Sequence, residues 1–150
     1  MTQLPDKFKL QVAQLLGQEE ADGLCRALLE EPTVSVRVNR AKAGCPPQDV
    51  ENERVPWCET GYYLSSRPSF TLDPLFHAGT YYVQEASSMF IEQAFKTMDF
   101  QPQRMLDLCA APGGKSTLWR SLLPDGALLV ANEPIRQRAM ILLENLTTWG

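Results

Sequence analysis

The segment Met105-Leu106-Asp107-Leu108-Cys109-Ala110-Ala111-Pro112-Gly113-Gly114-Lys115 constrains this chain more than any other, because a short apolar run ends there in a turn of small residues. A buried strand entering a tight turn fits that pattern. Beyond the turn, Leu118, Trp119, Leu122 and Leu123 recur at helical spacing, and Pro124-Asp125-Gly126 closes the helix. Ala127 to Asn132 forms a second buried apolar run that finishes at Glu133. Strand, helix, strand requires a crossover, so the two strands are expected to run parallel in an α/β sheet.

Sheets of this kind take cofactors at the carboxyl ends of their strands, where small residues let the backbone come close and an acid can hold two ribose hydroxyls. Glu133 follows Gly113 by 20 residues, which matches the ~20-residue interval from glycine turn to ribose-binding carboxylate in doubly wound nucleotide folds. A phosphate-cradling loop ending in Gly114-Lys115-Ser116 would need its first glycine at position 109, which is Cys109, so ATP is disfavoured. NAD is disfavoured too, since Gly113 and Gly114 are adjacent and no third glycine follows at helix-packing distance. S-adenosyl-L-methionine carries no phosphate and asks mainly for close backbone approach, which Ala110, Ala111, Gly113 and Gly114 permit.

Ahead of this segment the pattern changes. Phe8, Val12, Leu15 and Leu16 mark one short helix between Pro5 and Gly17; Ala21, Leu24, Cys25, Leu28 and Leu29 mark a second that Pro32 ends. In Thr33 to Asn39 valines alternate with polar residues, the period of a half-buried strand. Residues 41–52, with Gly44, Pro46 and Pro47, read as a surface loop. Short strands are expected at Val55-Pro56-Trp57 and Tyr62-Tyr63-Leu64 around Gly61, and Tyr81 to Met89 passes from aromatic residues into a helix. Residues 1–75 thus read as a small α+β domain, and 76–150 as the start of a second domain whose sheet continues beyond Gly150. Arg37, Asn39, Arg40 and Arg67 offer the first of these an RNA-contacting edge, although a solvated polar face is the preferred reading of such scattered residues.

Fourteen basic against eighteen acidic residues leave a formal net charge of −4, which argues against a general nucleic-acid-binding surface. No apolar run approaches the ~18–20 residues of a bilayer span, and the start Met1-Thr2-Gln3-Leu4-Pro5-Asp6 lacks an export pattern. A cytoplasmic protein is expected. Cys25, Cys45, Cys58 and Cys109 form no Cys-x-x-Cys pair and read as reduced thiols, and the single His77 suits packing or a surface hydrogen bond. No metal site is expected.

The run Asp107-Leu108-Cys109-Ala110-Ala111-Pro112-Gly113-Gly114-Lys115-Ser116-Thr117 resembles the cofactor signature of the Sun/Nop-type RNA (cytosine-5) methyltransferases. The resemblance extends through Tyr81 to Met89, Asn132-Glu133, Arg138-Ala139 and Glu144-Asn145-Leu146. Leu4-Pro5, Phe8, Leu15-Leu16-Gly17 and Arg37-Val38-Asn39-Arg40 look like the amino-terminal part of the bacterial members that modify small-subunit ribosomal RNA.

The resemblance implies a Rossmann-like methyltransferase sheet, S-adenosyl-L-methionine as cofactor, and ribosomal RNA as substrate and partner. It places cofactor contacts at Cys109, Ala110, Ala111, Pro112, Gly113, Gly114 and Lys115, with Glu133 on the ribose. Lys115 would pair with the cofactor carboxylate or cap the loop from outside. In this family a cysteine thiolate attacks carbon 6 of cytosine so that carbon 5 accepts the methyl group. That cysteine follows later strands, so it is expected beyond Gly150 and is not Cys109, whose part in the turn is a backbone one. Arg37, Arg40 and Arg138 are candidates for RNA contact, as is Arg136, although exposed helix arginines are common without that role. The competing reading is a non-catalytic fragment or a module that binds RNA or cofactor.

Overall fold

The computed structural model describes residues 3–42 and 53–150. Most of the expected loop at 41–52, Cys45 and its expected free thiol included, lies outside the described residues. Two compact units divide between Pro32 and Thr33.

In the first unit, α1 (Asp6–Leu16) and α2 (Gln18–Ala27) pack on each other. Gly17 joins them at φ +86°, a left-handed conformation that glycine adopts without a Cβ penalty. Val12 and Ala21 are buried, whereas Leu15, Leu16, Leu28 and Leu29 are exposed. The expected apolar stripes are therefore only partly covered: two short helices share a single seam, and residues off that seam stay in water.

The second unit opens with β1 (Val34–Val38), the centre of an antiparallel sheet between β2 (Gly61–Leu64) and β3 (Tyr81–Val83). Val36 stands opposite Tyr62 on one side and Val83 on the other. This pairing carries the sheet across position 75, so the expected boundary there falls inside one compact unit. The strand expected at Val55-Pro56-Trp57 is a turn with a single bridge from Arg54 to Tyr62, consistent with the missing N–H of Pro56. A short α3 (Pro74–His77), capped by the Asp73 carboxylate, leads into β3, and α4 (Ala86–Met89) and α5 (Ile91–Lys96) follow it.

One face of β1 supplies Val36 to a core with Leu64, Phe70 and Tyr81. The other face carries Ser35 and Arg37, and both are buried as well. The half-buried strand expected from the alternation is thus buried on both faces. Protein groups take the place of water there: the Ser35 hydroxyl donates to the Gln84 carbonyl at 2.6 Å.

Next come β4 (Arg104–Asp107), α6 (Gly114–Leu122), β5 (Leu128–Ala131) and α7 (Arg136–Trp149). β4 and β5 pair in parallel, Asp107 against Ala131, in a sheet separate from the first. This is the expected strand, helix, strand order. The strands are not buried on both faces, however, since Leu106, Leu108, Leu128 and Val130 are exposed. Among the described residues α6 packs on β5, and Leu142 and Leu146 of α7 pack with Ala131 at its end.

The carboxyl end of α7 returns to the antiparallel sheet. The Asn39 side-chain amide donates to the Trp149 carbonyl at 2.8 Å and to the Gly79 carbonyl at 3.1 Å. Gly79 adopts φ +69°, and a Cβ built there would stand 2.0 Å from the Thr148 carbonyl oxygen. Gly126 has a similar φ of +80° with nothing within 4 Å of its would-be Cβ. Comparing the two isolates backbone strain from collision. Gly126→Ala should cost about 1 kcal/mol, and Gly79→Ala roughly 3 kcal/mol or more because overpacking adds to the same strain. Urea unfolding of the two variants checks the difference, and equal losses would contradict the docking of residue 79 on α7.

Candidate functional site

β4 ends at Asp107, and this carboxylate organises the turn that follows. One oxygen accepts from the Cys109 backbone N–H at 3.3 Å and the other from the Ser116 hydroxyl of α6 at 2.7 Å. A short acid bonded to the N–H two residues on is a local device that stabilises turns. From beyond β5, the Asn132 carbonyl accepts from the Ala110 N–H at 3.0 Å, and the Asn132 side chain donates to the Leu108 carbonyl at 3.0 Å.

Two donors come from α7. The Arg138 guanidinium donates to the Ala111 carbonyl at 3.0 Å, and the Asn145 side chain donates to the Pro112 carbonyl at 2.7 Å. The Ala111–Pro112 peptide is cis. Side chains therefore hold the carbonyls at Leu108, Ala111 and Pro112, so the turn has little freedom to reorient.

Gly113, at φ +116°, caps α6 and offers no capping side chain. The first-turn N–H groups of a helix have no acceptor within the helix, and the dipole there favours a negative ligand group. A Cβ at Gly113 would meet Asn145 Cβ and Leu142 Cδ1, each at 3.4 Å; one at Gly114 would meet Gln84 Nε2 and Tyr82 Cε1 at the same distance. A Cβ would thus be in ordinary contact at either position, and at Gly113 it is the φ of +116°, which L side chains rarely adopt, that favours glycine.

Cys109, Ala110, Ala111, Pro112, Gly114 and Lys115 line a crevice of about 260 Å³ opposite Tyr82, Gln84 and Ser88. Glu133 is not part of that lining. Its side chain is 5% exposed, with one oxygen accepting from the Ile135 N–H at 3.0 Å and the other 3.6 Å from Arg138 Nε. Arg138 joins the two regions, since the same side chain reaches both Glu133 and the Ala111 carbonyl.

Arg138 is therefore bonded within the protein while its side chain remains 53% exposed. Arg37 requires a larger correction. It was a candidate for RNA contact, or otherwise for a solvated face, but it is 0% exposed. Its Nε donates to Gln84 Oε1 at 2.9 Å, its Nη2 donates to Thr117 Oγ1 at 2.5 Å and the Gly114 carbonyl at 3.3 Å, and its guanidinium lies 4.4 Å from the Trp149 ring centroid. Burial lowers its pKa to about 10, so it remains a cation at neutral pH. Asn39 is buried too, whereas Arg40 is exposed and paired with Glu59 at 3.4 Å, and Arg67 and Arg136 are exposed.

Cys25, Cys58 and Cys109 are free thiols, as expected. Burial pushes the Cys58 thiol up, and Cys109 is exposed at the crevice. His77 is exposed and makes a 2.9 Å hydrogen bond with the Thr71 carbonyl. Among the described residues no cluster of His, Cys, Asp and Glu could hold a metal, and no helix is long and apolar enough to cross a membrane.

The sequence reading missed the roles of Asp107, Asn145 and Thr117. Asp107 carried a signal, as an acid at a strand end two residues before an unpaired turn N–H. Asn145 carried none, because its partner lies 33 positions away.

Comparison with known proteins places this geometry in context. Residues 4–86 match the family described as the N-terminal domain of 16S rRNA methyltransferase RsmF, and residues 97–150 match the one described as 16S rRNA methyltransferase RsmB/F. Similar curated relatives include ribosomal RNA small subunit methyltransferase F of Shewanella sp. strain ANA-3, 34% identical over 160 residues and aligned with 100% of this chain and 33% of the relative. The Aeromonas hydrophila counterpart is also 34% identical, over 99% of this chain and 34% of its own length. The chain spans about a third of the length of these relatives. A solved methyltransferase homolog from Pyrococcus horikoshii aligns with TM-score 0.74 at 28% identity, covering 98% of this chain and 54% of that one. NSun6 from the same organism, solved with SFG, aligns with TM-score 0.74 at 16% identity over 97% of this chain and 63% of its own, a likeness of fold alone. The expected α/β class with the opening of a Rossmann-like sheet agrees with these structures.

The clamp on the turn makes a measurable claim. Asp107→Ala removes the acceptor of two bonds and should destabilise the protein by roughly 1–3 kcal/mol, with Ser116→Ala costing less because it removes only one. Amide exchange at Cys109 should accelerate in Asp107→Ala alone. An unchanged exchange rate there would show that the carboxylate does not hold the turn.

Proposed function

Because the chain belongs to the RsmF family of 16S rRNA methyltransferases, we propose that it is the amino-terminal part of an S-adenosyl-L-methionine-dependent enzyme that forms 5-methylcytosine in small-subunit ribosomal RNA in the cytoplasm. The observation that supports this most directly is the turn at 109–115, whose Ala111 and Pro112 carbonyls are held by side-chain donors while its small residues line a crevice at the start of α6.

The residues fit that cofactor. Gly113 and Gly114 present backbone without side chains at the start of α6, and Ala110 and Ala111 add little bulk. A single helix N-terminus with one lysine suits a carboxylate, whereas a triphosphate asks for the longer glycine-rich nest that Cys109 interrupts. When bound, S-adenosyl-L-methionine supplies an electrophilic methyl group. Backbone from Cys109 to Gly114 would seat its amino-acid and adenosine parts, and Lys115 would face its carboxylate. Glu133 would take the ribose hydroxyls through lone pairs not used by Ile135 and Arg138.

Carbon 5 of cytosine is a weak nucleophile until a thiolate adds at carbon 6, and the base must leave its stack to be reached. We assign that thiolate to a residue outside these 150. Cys109 is exposed, and its recorded bond is the backbone one to Asp107, a structural role in the turn. Cys58 is buried with its thiol pushed up, away from the thiolate form.

Calorimetry on the complete protein tests the cofactor: S-adenosyl-L-methionine should bind, while ATP and NAD should not. Glu133→Ala should weaken that binding by roughly 1–3 kcal/mol. Tight ATP or NAD binding without a response to S-adenosyl-L-methionine would refute the proposal. Cys109→Ser in the complete enzyme should retain methyl transfer to small-subunit RNA, and residues 1–150 alone should yield no 5-methylcytosine in a radiolabelled transfer assay. Loss of the covalent RNA adduct in Cys109→Ser would reverse the assignment of that cysteine.

A further inference from the structure

Arg37 is a buried cation that the proposed chemistry does not use. Its partners are a neutral amide (Gln84), a hydroxyl (Thr117), a backbone carbonyl (Gly114) and an indole face (Trp149), and no carboxylate among the described residues bonds it directly. Its remaining nitrogen, Nη1, is buried without a hydrogen-bond partner among the described residues. Enclosing a guanidinium on these terms is costly, and hydrophobic residues of similar volume commonly serve stability as well or better. A role confined to packing explains the position poorly.

Its contacts indicate a different role. Nη2 holds Thr117 Oγ1, and Thr117 Oγ1 in turn donates to the Gly114 carbonyl at 3.1 Å, which Nη2 also reaches. One side chain of β1 therefore grips the first turn of α6, whose Gly114 and Lys115 line the crevice. Gln84 completes the arrangement: it lines the crevice, contacts the Arg37 Nε and would abut a Cβ at Gly114.

We propose that Arg37 is a positioning residue for the cofactor, fixing the first turn of α6 through Thr117 and Gly114 so that the small-residue turn is preset to receive S-adenosyl-L-methionine. This rests on the cofactor reading given above. Preorganisation acts on affinity more than on a chemical step in which the residue takes no part. Lysine keeps the charge but cannot make the forked contact to Thr117 and Gly114.

Steady-state kinetics and calorimetry on the complete protein test the inference with three variants. Arg37→Lys and Thr117→Val should each raise the Kd and KM for S-adenosyl-L-methionine roughly tenfold, the scale of one lost charge-assisted hydrogen bond. The kcat at saturating cofactor should change less than about threefold, since only ground-state and transition-state binding in common is lost. The double variant should be little worse than either single one, because both break the same relay. Thr117→Ser, which retains the hydroxyl, should stay within about twofold of the wild type.

Wild-type affinity in folded Arg37→Lys or Thr117→Val would overturn the inference, even if the thermal midpoint falls, because it would leave Arg37 a purely structural role. Should Arg37→Lys fail to fold, the pair Thr117→Val and Thr117→Ser decides alone, and equal affinities in those two would sink it. Failure of the wild-type protein to bind S-adenosyl-L-methionine is a separate result that removes the cofactor reading itself.

Discussion

A charged guanidinium sealed from water organises the larger unit of this protein. Arg37 stands on the central strand of one sheet and holds the helix that follows the first strand of the other. Among the described residues the two sheets share no hydrogen-bonded strand pair, so their relation depends on side chains of this kind together with the docking of α7. A cation without a directly bonded counter-ion tolerates few alternative arrangements. Specificity of geometry, more than net stability, is what such a group contributes.

The turn after β4 follows the same logic with neutral groups. Its carbonyls are engaged by Asn132, Arg138 and Asn145, side chains from beyond β5 and from α7. Asp107 closes it from below by binding Cys109 and Ser116. What remains is a crevice lined by small residues at the first turn of α6, whose leading N–H groups have no acceptor within the helix. A backbone held this firmly by its surroundings presents those donors without having to be ordered by the ligand, which is the condition under which few contacts give useful affinity.

Much of this was legible in the residues. The strand, turn, helix and strand from 104 to 131 followed from apolar runs separated by Gly113-Gly114 and by Pro124-Asp125-Gly126, because turn chemistry and periodicity are local properties. The polar face of β1 was not legible. Alternating Val and polar residues normally signal one wet face, and nothing near Arg37 reveals that Gln84 and Thr117, 47 and 80 positions away, would replace water there. Leu15 and Leu16 erred in the opposite direction, since periodicity reports which face could be covered and not how much partner surface exists to cover it. Val55-Pro56-Trp57 failed for a local reason, the proline, which outweighed the apolar content.

The attachment of the last turn of α7 to residues 39, 42 and 79 has a consequence for the order in which the protein forms. Asn39 bonds the carbonyl of Trp149 across 110 positions, and Lys42 bonds that of Thr148 across 106. Contacts of such separation carry a large loop-closure entropy and are made late. On the ribosome the chain emerges at about 5–20 residues per second, so the antiparallel sheet is synthesised several seconds before the indole that covers Arg37 exists. During that interval the cation of β1 is open to water, and the strand is hydrated on the face that ends up sealed. Enclosure of the guanidinium is thus a closing event of folding, coupled to delivery of the helix that completes the turn.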